Sequence, residues 1–144
     1  MIDVINSSRK ISEDEYGFYS LASEFQEAGC ILHAHIATKL KVDSASMYLL
    51  CHSAELYLKS YLLVKQGEEV FKSKNYRHDI KKLISSAYNN GLSVQLNSLL
   101  SISNVYKSKQ LEYRQNQAIK LVSIDDLISE VEELSIVVFN DISL

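Results

Sequence analysis

The sequence predicts an all-α protein, an up-and-down helical bundle of about five helices in one domain of 144 residues. Three observations carry this. There is no proline and there are only four glycines, so little in the chain interrupts a helix interior. Apolar residues recur every three to four positions in five segments, the spacing of one helix face. The hydrophobic share of 47% and charged share of 23% are those of a globular chain, and a chain this long buries roughly two-thirds of the surface it exposes when unfolded.

The first helix is expected over about Glu13 to Leu40, with Phe18, Ala22, Phe25, Gly29, Leu32, Ile36 and Leu40 on its apolar face. Ser12 with Glu15 reads as its capping box. Gly29 inside it costs about 1 kcal/mol relative to alanine, so close packing against another helix is the expected reason for it. The second helix is expected over about Ser44 to Gln66. It is apolar nearly all round, from Met47 through Leu50, Ala54, Leu58 and Leu62, which makes it the central helix of its domain. Gly67 supplies a left-handed cap, and Glu68 to Arg77 reads as a polar loop.

The third helix is expected over about His78 to Asn90, with Ile80, Leu83, Ile84, Ala87 and Tyr88 inward and Asn90-Gly91 as its stop. The fourth is expected over about Val94 to Tyr106, with Leu96, Leu99, Leu100, Ser103 and Tyr106 on one face. Lys107 to Val122 is basic, less periodic, and reads mostly as loop. The fifth is expected over about Ile124 to Asn140, behind a Ser123–Asp126 capping box, with a stripe of Ile124, Leu127, Ile128, Val131, Leu134 and Val138.

Composition narrows the function classes. The net charge is −3, so nucleic-acid binding requires a local basic patch. Charge is sorted along the chain: Lys72–Lys82 carries +4 and Lys107–Lys120 carries +3, while Leu121–Leu144 carries −6. These are either solvated faces or, for the two basic segments, one shared end of the bundle that attracts an anion. Two cysteines give no disulfide framework. Met1 to Lys10 has no signal-peptide run, and Met47–Val64 is interrupted by His52, Glu55 and Lys59, so no membrane span and a cytoplasmic location are expected.

Three constellations could carry chemistry. His52, Glu55 and Lys59 form a polar stripe on the central helix at spacings of three and four, reading either as a surface ion pair with a packed histidine or as the lining of a groove. Tyr76-Arg77-His78-Asp79, with Lys81 and Lys82, opens the third helix, where backbone donors and added positive charge favour an anion. The plainer reading is that Asp79 caps this helix while His78 packs on the second one. His33 and His35 point to different helix faces, and Cys30 with His33 on one face gives two ligands, too few to hold a metal, so neither a metal nor another cofactor is expected. Gly-rich phosphate loops, HExxH, paired CxxC and GxSxG are all absent.

The stretch Tyr48 to Gly67, with His52, Ala54, Glu55, Leu58 and Lys59, resembles the second helix of HEPN domains. His78-Asp79-Ile80, Lys82-Leu83, Ala87 and Gly91-Leu92 resemble the opening and end of their next helix, and Tyr113-Arg114 looks like an inverted "RY" element before the last one. The resemblance implies a HEPN-like helical bundle, usually dimeric, from prokaryotic defence, stress or toxin–antitoxin systems. Many such proteins are metal-independent RNases with an Arg-x4-6-His motif. None of Arg9, Arg77 and Arg114 has a histidine four to seven residues downstream, so the nuclease pair of that family is missing.

Three functions follow as expectations. The first is a non-catalytic homodimeric module that binds a nucleotide, an RNA or a partner protein, such as a nucleotidyltransferase or a toxin–antitoxin subunit. Its cleft would involve His52, Glu55, Lys59, Arg77, His78, Lys81 and Arg114. The second is an RNase with a rearranged site, His78 or His52 acting as acid or base and Arg77 or Arg114 stabilising phosphate charge. The third is a purely structural, antitoxin-like subunit.

Overall fold

A computed structural model describes residues 14–36, 44–67, 76, 78–111 and 122–143. Among these residues it forms a bundle of five helices: α1 (Glu15–Ile36), α2 (Ser44–Gln66), α3 (Ile80–Asn89), α4 (Asn97–Lys107) and α5 (Ile124–Ile142). No strand occurs among the described residues. The all-α bundle expected from the sequence is therefore what the chain forms.

α2 is the centre. It touches all four other helices, and Leu50, Cys51, Ala54, Leu58 and Leu62 on it are fully buried. Each large apolar side chain so enclosed contributes roughly 1.5–3 kcal/mol relative to leaving it in water. α1 lies along α2 at close range. A Cβ placed on Gly29 would meet Leu50 Cγ at 3.0 Å and the Ser46 carbonyl oxygen at 3.3 Å, so the glycine is there to let two backbones approach. Hydroxyls strap the same pair together. Ser53 Oγ donates to the Ala22 carbonyl at 2.7 Å, Ser60 Oγ to the Glu15 carbonyl at 2.6 Å, and the Tyr57 hydroxyl to Gln26 Oε1. The Tyr16 and Tyr19 hydroxyls donate across to the Ile142 and Ser135 carbonyls of α5.

Several ends differ from expectation, each for a local reason. α1 starts at Glu15, and Asp14 Oδ1 accepts the Gly17 amide proton at 2.7 Å. Ser12 and Leu40 lie outside the described residues. α3 starts at Ile80 rather than His78. His78 has φ 50°, a left-handed conformation that cannot belong to the helix, and Asp79 accepts the Lys82 amide proton as N-cap. The far end of α3 stops as the sequence suggests. Gly91 has φ 99°, and the Leu92 amide reaches back to the Ala87 carbonyl, the pairing of a left-handed helix stop.

α4 starts at Asn97, not Val94, and its N-cap Leu96 has no capping side chain. The cap comes from another helix. The Glu130 carboxylate of α5 accepts the Ser98 amide at 2.7 Å through Oε2 and the Leu99 amide at 3.0 Å through Oε1. Two charge-assisted hydrogen bonds at a helix N-terminus are favoured by the helix dipole as well. Glu130→Ala is expected to lower stability by about 1–2 kcal/mol, measured by urea denaturation. A loss under about 0.5 kcal/mol would show that water replaces the carboxylate at no cost.

Candidate functional site

The site is built around Glu55. The apolar periodicity of α2 turns this carboxylate toward the core, where its side chain is only 2% exposed. A carboxylate so enclosed must be paired and hydrogen-bonded to stay charged. Its partners come from three places. Lys59, one turn along α2, brings Nζ to 2.9 Å from Oε2. Tyr106 of α4 donates its hydroxyl to Oε1 at 2.5 Å. His78, just before α3, places Nδ1 3.1 Å from the same oxygen. His52, one turn back on α2, has Nδ1 3.0 Å from the Tyr106 hydroxyl and 3.6 Å from Glu55 Oε1.

Proton bookkeeping orders this network. Tyr106 has one hydroxyl proton and gives it to Glu55, so at its other two contacts, His52 Nδ1 at 3.0 Å and His78 Nδ1 at 3.3 Å, it accepts. Oε1 is an acceptor only, so His78 Nδ1 carries the proton that it donates there. Both imidazoles are thus held by their Nδ1 side. Burial opposes the charge on Glu55, but the neighbouring His52, the Lys59 ammonium and the Tyr106 hydroxyl outweigh it. The carboxyl is held well below the usual carboxylate range. Burial first, and then the Glu55 charge, push the Tyr106 hydroxyl far up, so it stays protonated. Rings enclose His52: Phe25 meets it edge-on at 4.5 Å between centroids and Tyr48 stacks at 5.9 Å.

Beside this network lies an open cleft of about 530 Å³ between α3 and α4, lined by Tyr76, Asp79, Lys81, Lys82, Ser85, Ser86, Ser103, Asn104 and Lys107. The Tyr76 hydroxyl is held by Ser86 Oγ at 2.7 Å. Lys107 pairs with Asp79 Oδ2 at 3.0 Å, which fixes one cation at the cleft wall. Lys81 and Lys82 are exposed. The cleft meets the network at two points: Asp79 follows His78 directly, and Lys107 follows Tyr106.

Of the residues expected from sequence, His52, Glu55, Lys59 and His78 come together in one network, and Lys81 lines the adjoining cleft. Arg77 and Arg114 lie outside the described residues, as does Tyr113. The Glu55–Lys59 pair is not a surface pair. The plainer reading of the α3 opening holds for Asp79, which does cap the helix, while His78 reaches Glu55 on α2. The described ends of the two basic segments, Lys81 and Lys82 in one and Lys107 in the other, face the same cleft.

Sequence reading missed the role of Tyr106, which it placed in the core stripe of α4. A signal existed, because a buried tyrosine needs a partner for its hydroxyl, but nothing in the spacing says which. Among the described residues His52, Glu55 and His78 also bring one potential metal-ligating atom each within 4.8 Å of one another. His33, by contrast, has Nε2 3.7 Å from Asp125 Oδ1. No family model matches the chain, and neither a curated protein nor a solved structure is similar enough to count as a match.

Proposed function

We propose that this protein is a HEPN-like binding module that takes the phosphate groups of a nucleotide or RNA into the cleft between α3 and α4. The observation that supports this reading is the meeting of the two basic segments there. Lys81, Lys82 and Lys107 surround a space that also offers the exposed hydroxyl of Ser85. Cations supply attraction that any phosphate feels, and hydroxyls supply the directional donors that position it. The Glu55 network serves as the anchor. It ties the chain before α3 to α2 and α4, and so holds the cleft walls at a fixed spacing. The resemblance to HEPN domains extends the proposal to a homodimer and to a partner protein from a defence or toxin–antitoxin system.

A second reading, metal-independent RNA cleavage, draws on one observation. Glu55 and Tyr106 hold His78 by Nδ1 while its side chain is 42% exposed. A partly exposed imidazole oriented through Nδ1 is the form a general base takes.

Binding is tested with 5′-labelled RNA and, separately, labelled ATP, by filter retention without metal. Retention of RNA is expected to fall roughly tenfold between 50 and 200 mM salt, as for a site with two or three phosphate contacts. Lys81→Ala/Lys82→Ala is expected to weaken binding about tenfold and flatten the salt dependence. Retention of ATP alone assigns a nucleotide rather than a polymer. Unchanged affinity in the double variant overturns the cleft, and retention of neither ligand overturns the proposal in favour of a protein partner. RNA that emerges shortened from wild type but intact from His78→Ala supports the second reading.

A further inference from the structure

We propose that His52, Glu55, His78 and Tyr106 form a site for a divalent first-row transition-metal ion, of the zinc class, independent of the phosphate cleft. Four donor atoms converge from three separate places: His52 Nδ1 and Glu55 Oε1 from α2, His78 Nδ1 from the residue before Asp79, and the Tyr106 hydroxyl oxygen from α4. The separations are 3.6 Å for His52–Glu55, 3.1 Å for His78–Glu55, 3.0 Å for His52–Tyr106, 3.3 Å for His78–Tyr106 and 2.5 Å for Tyr106–Glu55. Four ligands at about 2.0–2.2 Å around a tetrahedral ion lie about 3.3–3.6 Å from one another. Four of these five separations stand within a few tenths of an ångström of those edges; the tyrosine–glutamate pair would open, and the sixth edge, between the two histidines, lies within 4.8 Å.

The donor set fits the chemistry. Two imidazoles and one carboxylate are ligands that zinc takes in open sites, where a fourth position is left for a weaker oxygen. Here that corner belongs to the neutral Tyr106 hydroxyl. No base is needed to prepare the histidines. Each Nδ1 proton moves to Nε2 of the same ring, and the freed lone pair faces the ion. The surroundings are also those of a metal centre. Lys59 holds Oε2, which leaves Oε1 as a one-toothed ligand of fixed direction, a common outer-shell arrangement. The left-handed backbone of His78 aims its ring at Glu55 from outside the helix, and a non-glycine residue in that conformation is often part of a functional constraint. The same lysine sets a limit. A positive charge beside the carboxylate weakens the hold on a cation, so the site is of the exchangeable, micromolar kind.

The test uses chelator-treated, dialysed full-length chain, titrated with zinc chloride by calorimetry and, in parallel, with cobalt chloride by visible absorption. One zinc per chain with a micromolar Kd is expected, together with the intense visible bands of four-coordinate cobalt. His78→Gln is expected to weaken zinc at least tenfold while circular dichroism still shows the folded helices. Lys59→Met is expected to tighten zinc severalfold, a direction that damage to the fold does not produce. His33→Ala/His35→Ala is expected to leave binding unchanged. Absence of stoichiometric binding, only the weak bands of six-coordinate cobalt, or full affinity in His78→Gln would each overturn the site. Should His78→Gln fail to fold, the wild-type cobalt spectrum and Lys59→Met still decide. Retention of RNA or ATP is measured on the same samples, and its presence or absence leaves the metal result standing.

Discussion

Replacing Glu55 by alanine is expected to destabilise the fold by about 3–5 kcal/mol, the usual cost of removing one partner from a buried charged pair. Three groups lose their acceptor at once. Lys59, only partly exposed, keeps a charge with nothing opposite it. The buried Tyr106 hydroxyl and His78 Nδ1 lose the oxygen to which they donate. Tyr106→Phe removes the hydroxyl that links Glu55, His52 and His78 but leaves the ion pair intact, so about 1–2 kcal/mol is expected. Urea unfolding of both variants separates the two cases, and similar losses would mean that the hydroxyl, not the charge, anchors the site. The same carboxylate gives a pH dependence. Its folded pKa lies below its unfolded value near 4.3. The stability it contributes is therefore fully present above that value and disappears as pH falls through the folded pKa. Wild type should lose stability on acidification from pH 5 to pH 3, and Glu55→Ala should lose less over the same range.

Gly29→Leu is expected to cost about 2–3 kcal/mol through overpacking. Leucine is the better helix former by close to 1 kcal/mol, so propensity alone predicts a gain. The contact decides otherwise, because even a Cβ meets Leu50 Cγ at 3.0 Å and the Ser46 carbonyl at 3.3 Å. A leucine must push α1 off α2 along the largest helix contact in the bundle. Gly29→Ala sets the two effects nearly equal, and a change within about 1 kcal/mol is expected. Melting temperatures of both variants test this, and a leucine variant as stable as wild type would mean that α1 can slide.

The helices were legible because their faces are written at short range. The stripe of α2, the glycine stops at Gly67 and Gly91, and the Ser123 cap of α5 depend on residues a few positions apart. The reason for Gly29 was legible for the same cause, since a glycine inside a long apolar stripe has few other uses. The site was legible only along α2. His52, Glu55 and Lys59 share a helix, so spacing placed them together, and the Tyr76–Asp79 motif marked His78. That Glu55 and His78 meet, and that Tyr106 joins them, is set by how three helices cross. No spacing within one segment records a crossing. The cap of α4 was hidden likewise, because Glu130 lies 31 residues beyond Leu99.

That distant cap has a consequence for the order in which the chain acquires its shape. Synthesis delivers α4 before α5, so the first amides of α4 emerge with their acceptor still untranslated. Until α5 docks, the Ser98 and Leu99 amides have only water to bond. The α1 tyrosines wait on the same helix for the Ser135 and Ile142 carbonyls. The first and fourth helices thus share acceptors that only the last one supplies.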